Sequence, residues 1–464
     1  MKKKFLILEL AMFLSVASTF AQGGTAGPLT WNLDNGTLTI SGDGEMPDYN
    51  LYDKPPWYDY WEAITTVVIE NGVITIGTCA FENYNRLKEV KLTDDKSTIT
   101  IKNLAFNNTG ITTLYLGRNI TDGGYFIDRA PFSEIKTLRN LTIGDNVYTI
   151  NANSFKNTGL TSVTIPDNIE IIGDDAFNGC ADLESVTIGK NVRTIGGYAF
   201  RGSRLTSINI PSSVIEIGVA TFENCTGLKE VTLEDDQYTI TIKNNAFNNN
   251  TGITTLYLGR NITDGGYFID RAPFSGIKTL RVLTVGNYVK MINSDSFKNC
   301  IGLTSVIIGN KVETIGSSAF YNCSSLETIT SNNPAPPIAD YNCFYNVSKN
   351  CLVYVPEGSR CLYKKADEWK EFENNIIDGT TYPCDQDIDD VAASHLQIYP
   401  NPATTELHID LAIQEPADYA IFDLLGQVVM QGTLQESSTI HIESLVSGIY
   451  FLRISGTAVS FVRR

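Results

Sequence analysis

Residues 183–203 read Leu183-Glu-Ser-Val186-Thr-Ile188-Gly-Lys-Asn-Val192-Arg-Thr-Ile195-Gly196-Gly-Tyr-Ala199-Phe200-Arg-Gly-Ser203. The phrase returns at once: Leu205, Ile208, Ile210, Val214, Ile217, Ala220 and Phe222 keep nearly the same spacing. Copies begin at Ile64, Leu87, Ile111, Leu138, Leu160, Leu183, Leu205, Leu228, Ile253, Leu280, Leu303 and Leu326, at intervals of 22 to 27 residues. Self-similarity at such a period marks a solenoid. Val186 and Ile188 alternate with Ser185 and Thr187, which predicts a short strand with one buried face. Gly196 reads as a tight turn and Phe200 as pointing back inward. One copy cannot bury its own apolar set, but a neighbour stacked on each side can bury it. The expected coil has a parallel β-sheet on one face and irregular or short helical returns on the other. Phe81, Phe106, Phe155, Phe177, Phe200, Phe222, Phe247, Phe297 and Phe320 form its inner column.

The recurring pattern L-x-x-V-x-I-P/G-x-x-V-x-x-I-G-x-x-A-F-x-x-C over residues 64–330 resembles the BspA-type leucine-rich repeat of bacterial surface proteins. The resemblance implies a leucine-rich repeat solenoid and a cell-surface, adhesion-related protein without catalysis.

The ends of the chain read differently. Lys2-Lys3-Lys4, an apolar run from Phe5 to Phe20 and the small residues Thr19 and Ala21 form a secretory signal over residues 1–21. No other stretch could cross a bilayer as a helix, so no transmembrane segment is expected in the mature chain. Residues 22–63 depart from the repeat. They carry Asn35-Gly36 between two alternating runs, a hairpin signal, and read as an N-terminal cap. Residues 331–378 hold Pro334-Ala-Pro-Pro337, a strand at 352–356 and a helix at 364–374, and read as the C-terminal cap. Residues 379–393 form an acidic linker. Residues 394–464 show many short strands, the pattern of a small β-sandwich. Tyr399-Pro-Asn-Pro402, Ile421-Phe-Asp-Leu-Leu-Gly-Gln427, Gly448-Ile-Tyr-Phe-Leu-Arg-Ile454 and Arg463-Arg464 together resemble a type IX secretion C-terminal sorting domain (type A). That resemblance implies contact with the secretion machinery, export to the outer cell surface and removal of the domain.

The chain of 464 residues carries a net charge of −17, spread along its length. Such a balance argues against nucleic acid and anionic membranes as partners. His395, His408 and His441 all lie in the last domain, which removes His-based nucleophilic catalysis and His-ligated zinc from the repeats. Carboxylates are numerous, yet nothing singles out a catalytic pair. Asp385-x-Asp387-x-Asp389 begins like a calcium loop, but Asp390 and Leu396 hold the positions of its glycine and closing glutamate. No cofactor or metal site is expected. Cys180, Cys225, Cys300 and Cys323 each follow a column phenylalanine by three residues, where other coils carry Thr109, Thr158, Ser203 or Asn250. That slot reads as small and inward. Cys180 and Cys225 are expected as free thiols, whereas Cys300 and Cys323 lie in adjacent coils within pairing reach. Cys343, Cys351, Cys361 and Cys384 allow one or two disulfides, in three full pairings.

The favoured function is a non-enzymatic, exported surface protein for adhesion or protein–protein interaction. Polysaccharide or glycan recognition and a structural surface-layer role are the alternatives. The long copies at Ile111 and Ile253 share Asn-Ile-Thr-Asp-Gly-Gly-Tyr-Phe-Ile-Asp-Arg-Ala-Pro-Phe, within stretches 98–144 and 239–286 that are almost identical. Outward strand positions are mostly Thr, Ser and Asn, but Tyr115 and Tyr257 stand among them, each shortly before one of these loops. Tyrosine and arginine anchor interfaces, so two ligand-binding sites are expected: Tyr115 with Arg129, and Tyr257 with Arg271.

Overall fold

The computed structural model describes residues 22–122, 130–264, 272–380, 397–410, 417–423, 427–434, 438–454 and 457–464. The expected secretory signal, Arg129, Arg271 and most of the expected acidic linker lie outside them. The chain forms two compact units, residues 1–381 and 382–464.

In the first unit each coil lays one strand on its neighbour in register. Ser162, Val163 and Thr164 pair with Ser185, Val186 and Thr187, and Glu89–Leu92 pairs in parallel with Thr113–Leu116. Like therefore stacks on like, which satisfies backbone groups and aligns the buried faces together. Two gaps interrupt this long-strand ladder, before Ser162–Thr164 and before Ser207–Ile210. At the end of the strand, Gly117, Gly144, Gly259 and Gly286 each donate their N–H to the previous coil. Pro166 and Pro211 occupy that position in the two interrupted coils and have no N–H to give.

The returns contain no helix among the described residues of 64–330. Instead, strands of two to four residues such as Thr194–Ile195 and Glu216–Ile217 form a second parallel ladder. A five-to-six-residue turn side then carries the phenylalanine. Two residues of this side take left-handed backbone, as in Asn153 and Asn157 (φ 58° and 57°) or Tyr198 and Gly202 (φ 58° and 71°). Asn, Asp and Gly recur there because they tolerate that region best. Gly196, expected as the turn residue, does not adopt positive φ. A Cβ at Gly196 would lie 2.5 Å from the backbone of Gly173 and Asp174, so its role is to let adjacent coils approach.

The aromatic column is longer than the sequence reading. Phe132 and Phe274 also belong to it: Phe106–Phe132–Phe155 and Phe247–Phe274–Phe297 continue the stack at centroid spacings of 5.0 to 6.3 Å. Trp57 stacks on Phe81 at one end, and its indole N–H donates to the Ala80 carbonyl at 3.2 Å. The Asn35-Gly36 turn has φ of 47° and 81°, as a two-residue hairpin requires, and Thr37–Ser41 pairs in parallel with Thr66–Ile69. At the other end Phe344 extends the column to Trp369, whose N–H donates to the Pro337 carbonyl at 2.8 Å. The helix expected at 364–374 is split into an α-helix, Arg360–Lys365, and a 3-10 helix, Trp369–Asn375; Ala366 is extended between them.

The cysteine slot is inward, as expected. Cys180 and Cys225 are buried free thiols that donate to the carbonyls of Phe155 and Phe200. Cys300 and Cys323 do not pair. Each thiol turns to its own carbonyl, Phe274 and Phe297, at 3.2 Å. Cys343 and Cys351 are also free, and Cys361 is disulfide-bonded, while Cys384 lies outside the described residues.

The second unit holds two antiparallel sheets. One comprises Gln397–Tyr399, Glu406–Asp410 and Ser438–His441; the other comprises Ala417–Phe422, Val428–Leu434, Gly448–Ile454 and Thr457–Arg463. Leu407, Ile421, Ile442, Leu452 and Phe461 fill their core. The last strand, Thr457–Arg463, was absent from the sequence reading.

Candidate functional site

The two long coils are built alike. Each follows a coil whose turn between ladders is extended: Thr93-Asp94-Asp95-Lys96-Ser97 before one, Glu234-Asp235-Asp236-Gln237-Tyr238 before the other. Tyr115 and Tyr257 lie on outward positions of the strands Thr113–Leu116 and Thr255–Leu258. They are half-buried rather than fully displayed, because each hydroxyl is spoken for. Tyr115 donates to the Asp94 carboxylate at 2.7 and 2.9 Å, and Tyr257 donates to Asp235 at 2.7 Å. The Asp94 hydrogen bond, reinforced by burial, pushes the Tyr115 hydroxyl up to about 12. Burial, then Asp235, does the same for Tyr257. Gly144 and Gly286 sit against these pairs; a Cβ there would lie 3.0 and 2.8 Å from the tyrosine oxygens.

The surroundings of the pairs differ. Lys91 lies over the Tyr115 ring at 5.6 Å, and Asp145 adds negative charge nearby. Thr232 and Asn287 hold the equivalent positions around Tyr257. Arg129 and Arg271 lie outside the described residues.

Two arginines that sequence reasoning missed organise this region. Arg118 and Arg260 are 0% and 1% exposed. Arg118 reaches back two coils to the carbonyls of Ile69, Glu70 and Val73 at 3.3, 2.7 and 3.0 Å, with Asp95 at 3.5 Å. Arg260 bonds the carbonyls of Pro211, Ser212 and Val214 at 2.7, 2.7 and 2.8 Å. Other turns supply a buried valine, such as Val192 or Val214; the extended turns supply none, and the arginine fills the space beneath them. Burial pulls both guanidinium values down, but arginine stays cationic. The signal for these residues was a Leu-Gly-Arg-Asn-Ile-Thr phrase following an Asp-Asp turn, present twice.

No group of three His, Cys, Asp or Glu side chains is placed to hold a metal ion among the described residues. His408 bonds Thr439 at 2.9 Å on a sheet of the second unit. No helix among the described residues is long and apolar enough to cross a membrane.

The model of the BspA type leucine rich repeat region matches residues 57–181, 148–268 and 267–384. The chain belongs to the BspA-type leucine-rich repeat family. Residues 397–464 match the secretion system C-terminal sorting domain, and this family member therefore carries an export signal at its C-terminal end. Among solved structures, the chain is similar to a leucine-rich repeat protein from Bacteroides ovatus, with 21% identity, 75% of this chain and 96% of that chain covered and a TM-score of 0.45. It is similar to a leucine-rich repeat protein from Eubacterium ventriosum at 20% identity, with 78% and 97% covered and a TM-score of 0.33. A leucine rich cell surface protein from Faecalibacterium prausnitzii matches at 21% identity, with 73% and 95% covered and a TM-score of 0.26. A search of the curated proteins finds no match.

Proposed function

We propose that this BspA-type protein is a non-enzymatic adhesin of the outer cell surface, which attaches to extracellular protein through the long-strand face of its solenoid. The observation that carries the reading is the duplicated tyrosine–aspartate pair on a face made mostly of Thr, Ser and Asn. Tyr115 and Tyr257 lie six coils apart, about 29 Å at the usual strand spacing. Two contacts on one rigid frame gain by avidity on a multivalent surface. Each hydroxyl is already fixed to an aspartate, so little side-chain freedom is lost when a partner docks.

The test changes Tyr115 and Tyr257 to Ser, singly and together, and measures attachment of purified protein to surfaces coated with a panel of matrix proteins. Each single variant attaches more weakly and the double variant is lost. Unchanged attachment by a folded double variant would put the contact elsewhere. For export, mass spectrometry of surface material is expected to show a chain starting at Gln22 and lacking most of residues 394–464.

A further inference from the structure

Where the long-strand ladder turns into the short-strand ladder, the turns of the coils beginning at Leu138 through Leu228 line an open groove of about 830 Å³. It is separate from the strand face of Tyr115 and Tyr257. Its ends are two tyrosines. Tyr148 is 46% exposed and Tyr238 is 68% exposed. Both are held by their backbones: the Tyr148 N–H donates to the Asn119 side chain at 2.9 Å, and the Tyr238 N–H donates to Asp236 at 3.0 Å. Arg260, beneath the groove, bonds the carbonyls of the turn before Tyr238 and so fixes the base.

The groove floor is polar, and part of it is unspent, although Asn168, Asn191 and Ser213 are tied to backbone carbonyls. The side chains of Glu170, Arg193 and Thr239, and both tyrosine hydroxyls, make no hydrogen bond or ion pair among the described residues. Ile215, 47% exposed, is an apolar patch between them. Four coil spacings separate the tyrosines, about 19 Å. The volume falls within the ~300–1,000 Å³ of ordinary ligand clefts.

These features select a ligand. An exposed aromatic face offers apolar contact and C–H/π attraction to the C–H face of a sugar ring. Carboxylate, guanidinium and hydroxyl groups between two such faces suit hydroxyls that both donate and accept. The core of a protein interface is depleted in charge, whereas this floor carries it. The net charge of −17 opposes polyanions. We propose that the groove binds a neutral, linear polysaccharide lying along the solenoid axis, with a sugar ring on Tyr148 and another on Tyr238. The duplicated block does not repeat the site: Ser97 and Lys290 stand where Tyr238 and Tyr148 would be.

The test uses the full chain. It is run in affinity electrophoresis against mannan, β-glucan and arabinoxylan, against polygalacturonate as the anionic arm, and against matrix proteins as the protein arm. Oligosaccharides of the neutral polymer that retards it most are then titrated calorimetrically. Tyr148→Ala and Tyr238→Ala each weaken binding by roughly tenfold or more, equivalent to about 1.4 kcal/mol. Tyr238→Phe keeps the ring and stays close to the parent affinity. Tyr341→Ala, an exposed tyrosine outside the groove, leaves affinity unchanged. The proposal is overturned if no neutral polymer retards the chain or if polygalacturonate alone does. It is equally overturned if the folded Tyr148→Ala, Tyr238→Ala double variant binds glycan normally, or if that variant loses only matrix-protein attachment.

Discussion

Replacing Arg260 tests the architecture most sharply. Its guanidinium donates to three carbonyls two coils away, and those of Pro211 and Val214 are buried. Arg260→Ala leaves the Val214 carbonyl without a partner and strips the Pro211 carbonyl of its charged donor, leaving it the Val214 N–H at 3.1 Å. An orphaned buried acceptor costs about 1–3 kcal/mol and a lost charge-assisted bond about 1.5 kcal/mol or more, so the two together amount to roughly 3 kcal/mol, toward the lower end of the ~3–5 kcal/mol for breaking a buried charged contact. Loss of the arginine's own desolvation relieves part of this, and water entering from the groove can reach the Ser212 carbonyl. Arg260→Met fills the space but still gives the carbonyls nothing, so it remains destabilising. Arg260→Lys restores charge without the planar fork and falls between. A solenoid need not unfold in one step, so the measurement is amide hydrogen exchange followed by mass spectrometry. Peptides covering 205–262 exchange about a hundredfold faster in Arg260→Ala, since 1.4 kcal/mol is a decade. Exchange at the parent rate in Arg260→Ala, or full recovery in Arg260→Met, would refute the carbonyl argument.

Phe200→Ala removes one ring from the middle of the stack and is expected to cost about 3–5 kcal/mol; a melting temperature equal to the parent's would contradict the column's role. Cys180, Cys225, Cys300, Cys323, Cys343 and Cys351 should resist a maleimide in the native protein and all label in denaturant without reductant. Recovery of a linked Cys300–Cys323 peptide would count against the thiol geometry. The Tyr115 and Tyr257 hydroxyls titrate near 12 when folded against 10.0 ordinarily. Because the folded value is the higher, their stabilisation is complete below about pH 10 and is lost as pH rises toward about 12. Denaturant titrations between those limits should show a shallower fall for the Tyr115→Phe, Tyr257→Phe double variant; an identical slope would exclude the aspartate bonds as its cause.

What was legible in the sequence is what repeats with the coil. Val186 and Ile188 alternate visibly, and Phe200 recurs with Phe222, because each coil packs on the one before it and must reuse its spacing. Phe132 and Phe274 escaped because a long insertion precedes them, which hides their phase although their rings enter the same column. Gly196 carried the right residue and the wrong reason: crowding from the neighbouring coil, which one strand's sequence does not display. At the candidate site, Tyr115 and Tyr257 were legible as outward aromatics. Asp94 and Asp235 were not, since they reach across from the preceding coil. Arg118 and Arg260 were hidden further still. Their partners are backbone carbonyls 45 to 49 residues away in one case and 46 to 49 in the other, and a carbonyl leaves no mark in the sequence.

A solenoid accepts inserted coils readily because each touches only its neighbours. The arginines break this rule by bridging two coils, so a copied Arg coil needs a suitable turn two coils before it. The receiving turns are Glu70-Asn-Gly-Val73 in one copy and Pro211-Ser-Ser-Val214 in the other. They share only the valine, and they need share no more, since the arginine reads main chain. Side chains of the receiving turn are thereby free to diverge without loosening the bolt. In the second copy Ser212, Ser213 and the following Ile215 have become the floor of the groove between Tyr148 and Tyr238. The same contact that holds the coils together thus releases the surface above it for recognition.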